Sequence, residues 1–260
     1  MDIHRISNNM ITSEKEHRSL LLCFFEWLGE LGLFCYRVLR SSISPPYEWR
    51  ELLRQMDEVG SKSAPLVALA GSAAGVVFSM QTRTSLVRFG ARSLLPIALI
   101  VSIVRETGPI ITALVVSGRV AAGIGAELGS MKVTEQIDAM EASAIDPYKV
   151  LVAPRIVACI LMMPLLTIIA DFCGIIMGWV ANEVVETISL RFYLVRGLQH
   201  VSFSDLLPGT LKTTVFGLII GMLGCFQGMR TMGGTEGVGR SVTRWIGGIS
   251  CLMLRVFVTP

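Results

Sequence analysis

The stretch SLLPIALIVSIVRETGPIITALVVSG, residues 93–118, runs for 26 residues with only two charges, Arg105 and Glu106, both near its centre. About 20 apolar residues cross a hydrocarbon core of about 30 Å, so the segment reads as a membrane-spanning helix. Three more stretches have the same character. Ser63 to Thr82 is 20 residues without a charge, Ile156 to Asn182 is 27 with Asp171 alone, and Leu206 to Met229 is 24 with Lys212 near its start. A fifth candidate, Trp245 to Val258, is weaker, because Arg244 and Arg255 leave ten uncharged residues between them. The chain of 260 residues is 52% hydrophobic and 17% charged, with a mean hydropathy of +0.61. Soluble domains carry about a quarter charged residues. A cytosolic enzyme, a disordered tail and a secreted disulfide module are thereby excluded, and a net charge of +3 gives no reason to expect a nucleic-acid partner.

Upstream of the spans, Arg18 to Arg40 is rich in Leu, Phe, Trp27 and Tyr36, yet charged. At about 100° per residue, Glu26, Glu30, Arg37 and Arg40 fall in one sector roughly 80° wide. Four charges on one stripe are cheap facing water and costly in hydrocarbon, so this helix is expected in the membrane interface; the alternative is a helix packed on the body of the protein. Glu26 and Glu30, with no small-residue cleavage site after them, argue against a secretory signal. Ser44-Pro45-Pro46 ends the helix, and residues 47–62 read as a polar linker or a second short surface helix. The expected division is 1–62 for the polar N-terminus and interface helix, and 63–260 for the transmembrane domain.

Lys and Arg set the orientation, being enriched on the cytoplasmic side. Alternating crossings put fifteen of them with residues 1–62, 119–155 and 230–244, against seven on the other side. The N-terminus and the 119–155 loop are therefore expected in the cytoplasm, although Arg83, Arg88 and Arg92 cluster on the far side. Gly71-x-x-x-Gly75, Gly174-x-x-x-Gly178, Gly217-x-x-x-Gly221 and Gly224-x-x-x-Gly228 all lie in expected spans, where small residues let helix backbones approach. Together they point to a packed bundle.

Chemistry-bearing motifs are few. No phosphate-binding G-x-x-x-x-G-K-[ST], no H-E-x-x-H and no G-x-S-x-G occurs, so ATP energy must come from another chain. The six cysteines form no C-x-x-C pair and read as packing residues, and the three histidines have no metal-ligand spacing, so no metal or cofactor is expected in this chain. Arg105 and Glu106 stand out. A charge at mid-membrane costs about 2.5–3.5 kcal/mol on translocon scales. Either each pairs with another helix, Glu106 with Lys212 for instance, or the two line a substrate cavity where Arg105 meets a phosphate. Asp171 reads as structural. A second feature is MKVTEQIDAMEASAIDP, residues 131–147. Val133, Ile137, Met140 and Ala144 give one apolar helical face, Lys132, Glu135, Asp138 and Glu141 populate the rest, and Asp146-Pro147 stops it. It reads as a short helix that docks on a partner, or as an ordinary surface helix.

Several blocks resemble one family. Arg105-Glu106-Thr107-Gly108-Pro109, Ser117-Gly118-Arg119-Val120-Ala121-Ala122-Gly123, Ala126-Glu127-Leu128-Gly129 and Thr134-Glu135-Gln136-Ile137-Asp138-Ala139-Met140 resemble the MlaE/YrbE permeases of MCE lipid-transport systems. The likeness continues through Asp146-Pro147, Ala153-Pro154-Arg155 and Met163-Pro164-Leu165-Leu166-Thr167, and resumes at Lys212–Phe216 and Gly239-Arg240-Ser241. It implies an all-α integral membrane protein with an N-terminal interfacial helix and about five transmembrane helices, in a bacterial inner membrane. The implied function is that of an ABC-transporter permease subunit, itself not an enzyme, passing phospholipid between that membrane and a periplasmic MCE-domain protein. The resemblance further implies a homodimer, with a separate ATPase that binds ATP and Mg on the cytoplasmic side. A coupling helix near 131–146 would meet that ATPase through Thr134, Glu135, Gln136, Asp138 and Glu141. Lipid would sit between protomers, at Glu106 and Arg105, against apolar walls from Phe78, Leu86 and Phe89. Trp245–Pro260 departs from the family's pattern, being short and carrying Arg255 where a full span is usual. A permease for another apolar cargo, such as a sterol, and a non-transporting scaffold are the rival readings; a scaffold has no use for ionisable residues at mid-membrane.

Overall fold

The computed structural model describes residues 26, 29–41, 49–91, 94–184, 189–199 and 203–230, and the fifth span expected at Trp245–Val258 lies outside them. The chain divides into two compact units, Met1–Pro46 and Tyr47–Pro260. In the first, helix α1 (29–41) exposes Glu30, Arg37 and Arg40 and also Leu33, Tyr36 and Leu39, while Phe34 and Val38 are buried. Charged and apolar side chains exposed on one helix suit the boundary between water and lipid.

Every element described in the second unit is helical: α2 (Trp49–Gly60), α3 (Ala64–Arg88), α4 (Leu95–Ser102), α5 (Gly108–Val116), α6 (Ala122–Val133), α7 (Gln136–Ala142), α8 (Ala153–Glu183), α9 (Leu190–Leu198) and α10 (Phe203–Arg230). They join into four long apolar rods, Trp49–Arg88, Leu95–Val133, Tyr148–Glu183 and Leu207–Arg230. Each coincides with one expected span to within two residues at its start or encloses it. At 1.5 Å per residue, a rod of 36 residues is about 54 Å long, so the first three rods, of 36 to 40 residues, continue well beyond the hydrocarbon core.

Residues 47–62, read as linker or surface helix, form α2, which packs on α8 and buries Gln55, Val59 and Gly60. α8 is the central rod, with α2, α3, α5 and α10 all against it. The reason lies in its small residues. Along α3, Val67, Gly71, Gly75 and Ser79 are buried at four-residue intervals, and on α8 Ala170, Gly174, Gly178 and Asn182 are buried at the same interval. A Cβ on Gly71 would come to 2.6 Å from the Ala170 carbonyl, and one on Gly75 would collide with the Gly174 carbonyl. The Asn182 amide closes the seam, donating to the Ser79 hydroxyl at 2.6 Å and to the Gly178 carbonyl at 3.0 Å. The α10 glycines act likewise, Gly217 and Gly221 meeting Cys159 and Ile156 of α8, Gly224 and Gly228 meeting α6. Buried Cys159 and Cys225 are free thiols in this packing, as expected of them.

The second rod is not a uniform α-helix. Wider π turns interrupt it at Ile103–Thr107 and Ser117–Ala121, and a third opens the rod of α8 at Tyr148–Val152. Two of the three precede a proline. Pro109 has no N–H for the Arg105 carbonyl, and Pro154 none for that of Val150. The turn widens instead, with the Gly108 N–H donating to the Ile103 carbonyl and the Ala153 N–H to that of Tyr148.

Candidate functional site

The first π turn carries both mid-span charges. Ile103 and Val104 point inward, joining Leu95, Leu99, Ile100 and Tyr193 in a buried cluster, and the next two residues, Arg105 and Glu106, are exposed on the outside of the chain. Widening the turn moves successive side chains off the regular 100° step, and such turns recur at functional sites. Gly108 sits directly against the carboxylate of Asp171 on α8, so close that a Cβ there would overlap Asp171 Oδ1. Asp171 thus lies directly behind the turn, on the α8 side. Val104 is covered from the other side, its carbonyl lying 3.0 Å from where a Cβ on Gly209 of α10 would be.

The apolar walls divide. Phe78 and Leu86, both on α3, are half-buried and pack against the cluster that contains Ile103 and Val104. Phe89 follows the end of α3 and is 84% exposed. The structure therefore brings two of the three expected wall residues onto the base of the π turn and leaves the third in the open.

At the far end of the second rod lies the expected docking segment. The expected helical run from Val133 to Ala144 is broken. α6 extends through Val133, Glu135 turns the chain with φ 57°, α7 spans only Gln136–Ala142, and Ala144 follows with φ 60°. Left-handed backbone at Glu135 and Ala144 is what ends regular helix there, before Asp146-Pro147 is reached. Ile137 alone of the four apolar positions is fully buried and pins α7 down; Val133 and Ala144 are exposed. Thr134, Glu135, Gln136, Asp138 and Glu141 are all exposed, so α7 and its leading turn present a mostly acidic surface. Lys132, at the end of α6, ties back to Asp138.

Sequence reasoning missed two features near these sites. Arg155 is 1% exposed, pairs with Glu127 Oε1 at 2.9 Å and donates to the Leu151 carbonyl at 2.7 Å. This ion pair fastens the start of α8 to α6, one helix away from the docking turn; the signal was the placement of both residues in family-like blocks. The second is α9, a short helix between the third and fourth rods, capped by Ser189 and packed on α4 through Tyr193. Among the described residues, no three His, Cys, Asp or Glu side chains gather to hold a metal ion.

Known proteins resemble this arrangement in sequence. Residues 52–258 match the family model described as Permease MlaE. A probable ABC transporter permease protein of Rickettsia typhi is 36% identical over 231 residues, 89% of each chain. One from Synechocystis is 35% identical over 231 residues, covering 89% of this chain and 88% of its own. The intermembrane phospholipid transport system permease protein MlaE of Haemophilus influenzae is 30% identical over 232 residues, again 89% of each.

Proposed function

Because the chain belongs to the MlaE family of ABC-transporter permeases, we propose that it moves phospholipid between a bacterial inner membrane and a periplasmic MCE-domain protein, as one of two permease copies driven by a separate ATPase. One observation carries the reading: Arg105 and Glu106 stand on the outer surface of the single chain, near the centre of the apolar span 93–118. Charges there are too costly to face lipid tails. A chamber shared with a second copy, holding a polar headgroup, supplies the surroundings they need. Phospholipid as cargo is further supported by the Haemophilus relative, a permease of an intermembrane phospholipid transport system.

The work is divided between two ends of one rod. Around the π turn, Arg105 meets the lipid phosphate by charge-assisted hydrogen bonds, Glu106 orders the headgroup, and Phe78 and Leu86 back the apolar side. Some 30 residues on, α7 takes up the ATPase through its exposed acidic turn on the cytoplasmic side. ATP closes the ATPase pair, the two α7 helices move with it, and the chamber narrows and expels its lipid. Nucleotide shifts that equilibrium only by its differential affinity for the two states.

Glu106→Lys is expected to abolish lipid transfer in a reconstituted assay while the complex still assembles; normal transfer would remove the site. Glu135→Arg reverses charge at the head of α7 and is expected to weaken ATPase co-purification or its stimulation by lipid. Unchanged co-purification together with unchanged ATP turnover would contradict docking there. Mass spectrometry of lipid co-purified with the complex identifies the cargo, phospholipid being expected and a sterol-like molecule pointing to the rival.

A further inference from the structure

A cavity of about 580 Å³ lies away from Arg105 and Glu106, between α2 and the start of the second rod's last segment. Its walls carry Arg54, Lys62 and Arg119 against Asp57, Glu58 and Glu127. The volume falls within the range of about 300–1,000 Å³ typical of small-molecule sites. The signs on the wall do not simply cancel. Glu58 is held by Lys62 at 2.6 Å, Glu127 by the buried Arg155 behind it, and Asp57 accepts from the Ser61 hydroxyl at 2.6 Å. Arg119, half-buried on the second π turn, donates at 2.6 Å to the neutral hydroxyl of Ser63, and no carboxylate among the described residues lies within ion-pair distance of it. Its planar guanidinium keeps further N–H groups for an anion, in the geometry that suits phosphate.

Depth points to the source of that phosphate. The cavity sits where α2 bends into α3 at Ser61–Ser63, beside the end of the charge-free run that follows Glu106 in the second rod. This is the edge of the hydrocarbon, where lipid headgroups lie. The helices flanking the bend expose Leu53 on α2 and Leu66 and Leu69 on α3, apolar surface for acyl chains. We propose that this cavity binds the headgroup of a zwitterionic phospholipid, its phosphodiester on Arg119 and its ammonium toward Asp57, whose partner is the neutral Ser61 hydroxyl. The inference rests on the permease reading for its phospholipid cargo and adds a second lipid contact, at the membrane edge rather than mid-span.

Gly123 gives a clean test, because it lines the cavity and a Cβ there meets nothing within 4 Å. A side chain therefore starts into the space without a clash at its first carbon, and Gly123→Leu is expected to fill it. The purified permease–ATPase complex is titrated with dihexanoyl phosphatidylethanolamine, below its micellar concentration, and with inorganic phosphate. Saturable lipid binding is expected, weakened at least tenfold by Arg119→Gln, less by Arg119→Lys, and lost in Gly123→Leu with an unchanged melting temperature. Glu106→Lys is expected to keep this binding, so normal lipid transfer by that variant would sink the mid-span site without touching this one. Absence of saturable binding, or binding indifferent to both Arg119→Gln and Gly123→Leu, overturns the proposal. So does displacement of the lipid by inorganic phosphate at equal affinity, which would mark a free-phosphate site.

Discussion

At the scale of single residues, the Arg155–Glu127 pair shows how burial decides what an ion pair does. Arg155 is almost wholly enclosed, whereas the Glu127 side chain is 32% exposed. Removing a partner from a buried pair leaves the other charge stranded, at a cost of about 3–5 kcal/mol. The cost is therefore asymmetric. Glu127→Ala strands Arg155 with no water to turn to, while Arg155→Met fills the buried space with an apolar stem and leaves a carboxylate that still reaches solvent. Thermal unfolding in detergent is expected to show the larger loss for Glu127→Ala; equal losses would mean that the pair is solvated from both sides. The sequence contains both members but not their relation, since 28 positions separate them and neither stands in a periodic pattern with the other. Arg105 and Glu106 were legible for the opposite reason: their apolar flanks make charge conspicuous.

At the scale of elements, small-residue spacing was the most informative pattern after hydropathy. All four Gly-x-x-x-Gly pairs sit at helix contacts. The α3–α8 seam combines two kinds of interaction whose magnitudes differ. Its hydrogen bonds, Asn182 to Ser79 and to the Gly178 carbonyl, belong to a class that averages about 0.6 kcal/mol inside membranes and reaches about 1.7. Its backbone contact admits no side chain, and overpacking costs about 1–3 kcal/mol or more. Asn182→Ala is thus expected to lower the melting temperature modestly and leave a folded permease. Gly75→Leu is expected to reduce the yield of folded protein sharply, with Gly178→Ala between them. If Asn182→Ala proved the worse of the two extremes, the seam would be held by its polar clamp rather than by close packing. What the pattern could not give was the interruption of the rods. Two of the three π turns depend on which carbonyl loses its donor to Pro109 or Pro154, and the break at Glu135 on a left-handed backbone that no apolar periodicity records.

For the whole molecule, the number and order of described spans followed from length and hydropathy alone, because a hydrocarbon slab imposes one requirement on every crossing. The side on which each end lies follows from a weaker rule, the excess of Lys and Arg toward the cytoplasm. Four rods alternate in direction, so the chain before α3 and the segment around α7 share one side, and the stretches after α3 and around α9 share the other. Fifteen basic residues against seven predict that the first side is the cytoplasm, against the local pull of Arg83, Arg88 and Arg92. Ser143 and Gln199 are exposed in the two compartments so defined. With the native cysteines replaced by alanine, Gln199→Cys is expected to react with a membrane-impermeant maleimide in intact spheroplasts, and Ser143→Cys only after the membrane is permeabilised. The reverse labelling would invert the topology and put α7 on the side without ATP. Docking of an ATPase at Glu135 would then fail with it, whereas the helix seams, the π turn at Arg105 and Glu106 and the cavity at Arg119 would stand unchanged, since none of them depends on which face of the membrane is inside.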